Sequence, residues 1–215
     1  MALNKERIKS WCKSKANLTL LSVLILAIIL RLYYFFITAN QPLWWDEADY
    51  LAYAKNLAGF HIDWIVTPKH NSLYPFLFAL FFKLGASEVF AKFFIQLIPS
   101  ILSVFLVYLI AKEMYSDKKI ALIASFIAAV FWISIFNTAR FHVDIPALFF
   151  GLLSIYTFWV GYEKKQKLFR KISANWAIPL TVLFVVLTYS IRRGYIIFGI
   201  FFLLYILATR KFSET

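Results

Sequence analysis

Residues 18–37 form an unbroken run of twenty residues in which Arg31 is the one charge. A helix of about 20 apolar residues is long enough to cross the hydrocarbon of a bilayer. Five further apolar runs follow, at about 90–111, 119–137, 145–161, 175–191 and 194–209. Hydrophobic residues make up 62% of the 215-residue chain and charged residues 16%, against roughly 45–50% and 25% in soluble domains. A soluble globule of this size could not bury that excess, so a soluble enzyme is excluded, and the same hydrophobicity excludes disorder. The expected fold is an all-α integral membrane protein with about six transmembrane helices. Aromatic residues at 20% suit interfacial belts. The lone cysteine, Cys12, cannot form an intrachain disulfide, and no Cys/His cluster suggests zinc.

The formal net charge is +12. In a chain this apolar, the distribution of basic residues speaks of membrane orientation rather than of nucleic acid. Lys5, Arg7, Lys9, Lys13 and Lys15 precede the first run. The run is long and lacks an A-x-A site, so it reads as an uncleaved anchor rather than a signal peptide. The orientation of everything downstream depends on Leu73–Leu84, a run of only twelve residues. If it does not cross, fifteen of the 23 Lys and Arg lie on the cytoplasmic side, in 1–17, 112–119, 162–174 and 210–215. If it does cross, the basic Glu163–Lys171 loop falls outside, against the positive-inside rule. The expectation is a single transmembrane domain over 1–215 in the cell membrane, with both termini cytoplasmic and residues 1–17 as a cytoplasmic tail. Residues 38–88 form a long outer loop, with Leu73–Leu84 a re-entrant or interfacial helix. No internal repeat or low-complexity tract is visible.

Candidate chemistry gathers on the outer side. Trp44-Trp45-Asp46-Glu47-Ala48-Asp49-Tyr50 places three carboxylates within four residues. From Asp46 to Ala58 the pattern suits a short amphipathic helix, with Leu51, Ala54, Leu57 and Ala58 on one face and Asp46, Asp49, Tyr50 and Tyr53 on another. Gly59 is a helix stop. A plainer reading is an acidic first turn complementing the helix dipole, with interfacial tryptophans. Lys69-His70-Asn71-Ser72-Leu73-Tyr74-Pro75 leads into the short apolar run; a solvated turn is the plain alternative. Arg140-Phe141-His142-Val143-Asp144-Ile145-Pro146 lies between two spans, where a surface Arg–Asp pair would contribute little. Arg192-Arg193 lies between the last two runs, where contact with anionic headgroups would also explain it. Arg31 either snorkels or faces the bundle interior. Carboxylates and cations gathered at one membrane face could serve a reaction between a lipid phosphate and a polar substrate. A carboxylate can take a proton from a hydroxyl, and guanidinium groups can hold a leaving phosphate.

The order of a span, W-x-D-E-A-x-Y, a long outer loop, an -LYP- run and an R…D-x-P turn resembles the N-terminal part of the C-type membrane glycosyltransferases. It is most similar to the branch of protein O-mannosyltransferases and lipid A aminoarabinose transferases. The resemblance runs from about Leu18 to Arg210. It implies an inverting enzyme that moves a sugar from a polyprenyl-phosphate donor to a protein, glycan or lipid acceptor on the extracytoplasmic face. By resemblance, Asp46 is the general base, and Glu47 and Asp144 orient it. Asp46 and Glu47 are also the candidate ligands of a divalent ion. Lys69, His70, Arg140, and Arg192 or Arg193 bind the donor phosphate. Asn71 and Ser72 stand where the family usually has paired prolines. Family members are longer, so the chain looks like the N-terminal half of a longer architecture: truncated, minimal, or completed by a second membrane subunit. The alternative from another class is a non-catalytic membrane protein, either a lipid-carrier transporter or a subunit of a split transferase. Transporters place polar groups near the bilayer midplane, whereas here they lie mostly at the outer ends. No P-loop or G-x-G-x-x-G is present, as suits a lipid-phosphate donor. The sugar and acceptor stay open.

Overall fold

The computed structural model describes residues 14–44, 46–62 and 73–213, with side chains through residue 209. All its regular elements are helices: α1 (Lys15–Thr38), α2 (Asp46–Leu57), α3 (Leu73–Lys83), α4 (Glu88–Tyr115), α5 (Lys118–Val130), α6 (Trp132–Phe136), α7 (Asp144–Glu163), α8 (Ala174–Ile191) and α9 (Ile196–Ser213). Four of them, α1, α4, α7 and α8, are long and apolar enough to cross a membrane. A fifth crossing arises if α5 and the segment after it count as one broken span. The last apolar run forms a shorter apolar helix, Arg193–Thr209. Leu21, Ile25, Ile29 and Phe36 on α1 remain exposed, as do Ile123 and Ile127 on α5 and Ile200, Phe201 and Leu204 on α9. Apolar stripes left bare at helical spacing require a lipid environment.

The run expected as one continuous helix over 119–137 is broken. Helix α5 ends at Val130, Phe131 takes an extended conformation (φ −65°, ψ 107°), and the chain resumes at Trp132 bent by 49°. There is no proline or glycine at the break. The cause is Arg31, 1% exposed inside the bundle, whose guanidinium donates to the carbonyls of Ala129 (2.7 Å) and Ala128 (3.0 Å). A continuous helix would give those carbonyls to the amides of residues 132 and 133. The Arg31 Nε also donates to Ser100 Oγ at 2.8 Å. Of the two sequence readings of Arg31, the bundle interior is the one observed.

Helix α4 carries a π-helical turn, Phe93–Leu97, just before Pro99. Proline has no amide hydrogen and its ring crowds the carbonyl four residues back; the wider turn accommodates both. It also turns Gln96 inward, fully buried. Helices α4 and α5 are joined through Ser116 in the left-handed region (φ 54°) and Asp117, whose carboxylate caps the Lys119 amide at 2.6 Å. Glycine at 161 is a packing requirement, because an added Cβ would lie 2.5 Å from the Ala177 Cβ where α7 meets α8.

The largest buried cluster lies at the ends of the spans that meet the 38–88 segment. Tyr50, Leu51 and Ala54 of α2 and Tyr74, Phe78 and Phe82 of α3 pack on Ile95, Phe141, Val143, Ala147 and Ile191. Helix α2 ends as expected at Gly59, which adopts φ +96°. Its buried face differs from the expected one: Glu47, Tyr50, Leu51 and Ala54 are buried, while Leu57 is exposed. Packing against α3 and the ionic contact of Glu47 rotate the helix by about one residue toward Tyr50. Helix α3 has eleven residues, about 16 Å of rise at 1.5 Å per residue, and buries Tyr74, Phe78 and Phe82 rather than standing free.

Candidate active site

Two ionic groups are built where the spans meet α2. Arg140 follows a short 3-10 turn, Asn137–Ala139, in extended backbone, which carries its side chain across to α2. Its Nε donates to Glu47 Oε1 at 2.6 Å and its Nη2 to Glu47 Oε2 at 2.5 Å. Both groups are almost fully buried. Nη2 also reaches the Pro42 carbonyl at 3.2 Å, and the guanidinium carbon lies 4.3 Å from the centroid of the Trp44 ring. The Trp44 amide donates to Glu47 Oε2 at 2.8 Å. Glu47 thus accepts three charge-assisted or backbone hydrogen bonds, and the pair clamps Pro42, Trp44 and Glu47 onto the turn that follows the broken span.

The second group is Asp144, Arg192 and His142. Asp144 is the first residue of α7, where a carboxylate complements the positive end of the helix. Arg192, which ends α8 in extended backbone, donates from Nη1 to Asp144 Oδ1. His142 Nδ1 lies 2.7 Å from Asp144 Oδ2 without the alignment of a hydrogen bond. The His142 carbonyl accepts from Gln96 Nε2 at 2.8 Å, and the same amide nitrogen contacts Tyr74 Oη at 2.5 Å. Burial pushes the His142 imidazole below its usual pKa, helped by Arg192 and Arg140 and opposed by Glu47 and Asp46. Burial likewise raises the Tyr50 phenol, with Asp46 and Asp49 adding to the shift and Arg192 opposing it. These shared fields place Asp46, Glu47, Tyr50, Arg140, His142 and Arg192 in one electrostatic neighbourhood.

Asp46 differs from the other two acids. It is the first residue of α2, is exposed, and makes no hydrogen bond or ion pair with the described residues. Glu47 is committed to Arg140, and Asp144 to Arg192. Glu47 does not fit a divalent ion, since both of its oxygens already face a guanidinium. Among the described residues no group of three His, Cys, Asp or Glu side chains could hold a metal.

Of the residues singled out in the sequence, the structure therefore brings together Asp46, Glu47, Arg140, Asp144 and Arg192. Arg193 is exposed beside them in sequence. Lys69 and His70 lie outside the described residues. Sequence reasoning missed Trp44 as the platform for Arg140, and it missed Gln96 and Lys92. Lys92 is only 4% exposed, with its Nζ bonded to the Ala39 carbonyl at 2.7 Å. The available signal was a Lys and a Gln at the start of an otherwise apolar span.

The family model for dolichyl-phosphate-mannose-protein mannosyltransferases matches residues 69–215. The Asp46-Glu47 motif precedes the matched stretch. A protein of Archaeoglobus fulgidus named dolichyl-phosphooligosaccharide-protein glycotransferase 2 is 37% identical over 102 residues, 46% of this chain and 16% of that protein. The chain thus spans a small part of the length of this curated relative. No solved structure matches.

Proposed function

Because the chain belongs to the dolichyl-phosphate-mannose-protein mannosyltransferase family, we propose that it is a membrane glycosyltransferase that moves a sugar from a polyprenyl-phosphate donor to an acceptor hydroxyl or amine. The site faces the extracytoplasmic side, and both termini are cytoplasmic. The acceptor proton goes to the Asp46 carboxylate. The acceptor oxygen or nitrogen attacks the anomeric carbon from the face opposite the phosphate. The bond from that carbon to the phosphate oxygen breaks, and the polyprenyl phosphate leaves with the electron pair, which inverts the configuration. Arg192 keeps one guanidinium nitrogen on Asp144 and turns its remaining N–H groups to the donor phosphate. Arg193, Lys69 and His70 add to that phosphate site. Glu47 acts as a positioning residue through Arg140.

The observation that carries this reading is the division of labour among three acids. Two are held by arginines, and among the described residues Asp46 alone of the three has no hydrogen-bond or ion-pair partner. Asp46→Asn keeps the size of the side chain and removes its charge, whose interaction with the helix dipole contributes only about 0.3–1 kcal/mol. Transfer from a polyprenyl-phosphate sugar, assayed in membranes with expression and donor binding matched, should fall by about 10²-fold or more. Near-normal turnover in the asparagine variant would return Asp46 to the plain role of an acidic first-turn residue complementing the helix dipole and make Asp144 the next acid to test.

A further inference from the structure

Beside the Arg140 clamp lies a cavity of about 430 Å³, lined by Ala39, Asn40, Gln41, Leu43, Ser87, Glu88, Val89 and Lys92. It opens between the end of α1 and the start of α4. Lys92 stands at its wall, because its Nζ is 2.7 Å from the carbonyl of Ala39 and both residues line the space. The ammonium also sits 5.0 Å from the centroid of the Phe141 ring. It has three donors, and it makes no ion pair with a described carboxylate.

The charges around it are already assigned. Glu88 pairs with Lys55 at 2.6 Å, and Glu47 is taken by Arg140. Glu88 and Glu47 lend Lys92 their fields from a distance, but among the described residues no carboxylate pairs with this nearly buried ammonium. A buried charge without a counterion is costly, and a single carbonyl and an aromatic face offset only part of that cost. The first turn of α4, at Ser87, Glu88 and Val89, also borders the cavity. The positive end of a helix favours an anion there.

We propose that this cavity holds the phosphate group of a membrane lipid, bound by Lys92 and separate from the site at Arg192. Asn40, Gln41 and Ser87 supply neutral hydrogen-bonding groups at the rim. Leu43 and Val89 face the first carbons of the lipid chain. This assignment does not rest on the transferase reading. The shared chemistry is a phosphate ester, either the monoester of a polyprenyl phosphate or the diester of an anionic phospholipid.

The test measures how many molecules of farnesyl phosphate the full chain binds in zwitterionic detergent, by equilibrium dialysis. The wild type should bind at two sites. Lys92→Gln should weaken one of them at least about tenfold, the effect of losing one charge-assisted hydrogen bond. Lys92→Arg should keep it, and Arg192→Gln should leave it unchanged. Asn40→Asp, an exposed change that leaves Lys92 in place, should weaken the same site by repulsion and covers the case in which Lys92→Gln fails to fold. Competition by phosphatidylglycerol at that site alone would identify the diester as its occupant, and resistance to it would identify the monoester. Binding at one site, lost in Lys92→Gln and kept in Arg192→Gln, would support the cavity and remove the Arg192 site instead. Binding unaffected by both Lys92→Gln and Asn40→Asp would overturn the proposal.

Discussion

Arg31 and Arg140 are both nearly inaccessible, at 1% and 3% exposure, yet they are neutralised in opposite ways. Arg140 meets a carboxylate: Glu47 takes it bidentately across 93 residues of sequence. Arg31 meets no acid among the described residues. It donates to Ser100 and to two carbonyls at the end of α5, where the helix dipole carries about half a negative charge. One arginine ties a loop to a turn by ion pairing. The other satisfies the buried backbone carbonyls at a helix break, which in an apolar surrounding would otherwise be orphaned. The two meet in the same stretch of chain, because the segment that Arg31 breaks away from α5 leads directly to Arg140.

The largest effect should come from splitting the ion pair. Glu47→Leu strands a buried guanidinium, and breaking a buried pair from one side costs about 3–5 kcal/mol. Reversible denaturation in bicelles would read this as a loss of that size, together with lost transfer. The double change Glu47→Leu with Arg140→Met should recover most of the stability, since apolar replacements of a buried pair are often neutral. A single change costing under about 1 kcal/mol would show that the clamp is too wet to behave as buried.

Arg31→Met should cost less. Hydrogen bonds between membrane helices average about 0.6 kcal/mol and reach about 1.7, and removing a charge from the bilayer interior offsets part of the loss, by up to about 2.5–3.5 kcal/mol. The expected net change in the same assay is within about 2 kcal/mol. Arg31→Lys should fall between, because one ammonium cannot span Ser100 and the Ala128 and Ala129 carbonyls together. A loss from Arg31→Met as large as that from Glu47→Leu would mean that both arginines act as buried charges in need of an ion, and the contrast would collapse.

That contrast also marks what could be read from the residues alone. The apolar runs predict α1, α4, α7 and α8, because each is long and nearly free of charge. The cluster of Asp46, Glu47, Arg140, Asp144 and Arg192 was visible as residue types on one side of a membrane. Which acid pairs with which cation was not, since partners 93 residues apart leave no local pattern. The break at Phe131 was equally hidden: its cause is Arg31, about one hundred residues upstream, rather than a proline or glycine at the bend. Lys92 stood inside the apolar run of about 90–111, and only the closed structure shows it buried at a cavity wall. The rotation of α2 toward Tyr50 came from tertiary contact with α3 and Arg140, which periodicity within twelve residues cannot register.

The smallest expected effect is a pH dependence that sharpens the difference between the two regions. Among the described residues nothing titratable bonds to Arg31. The group around Asp144 includes His142, faced by Asp144, Arg192, Arg140, Glu47 and Asp46, with its pKa held below the ordinary 6.5 chiefly by burial. The folded state therefore prefers neutral imidazole. Above pH 6.5 the folded and unfolded chains both carry it neutral and stability is complete. As pH falls below 6.5 the unfolded chain takes up the proton first, so stability declines until the folded pKa is passed, and then levels. His142→Gln should flatten that slope between about pH 6.5 and the range where carboxylates begin to protonate, leaving stability at pH 8 nearly unchanged. Arg31→Met should leave the slope as it is in the wild type. Equal slopes in wild type and His142→Gln would mean that Asp144 stabilises the imidazolium as much as burial and Arg192 oppose it, and that His142 is not the neutral member of the group around Asp144.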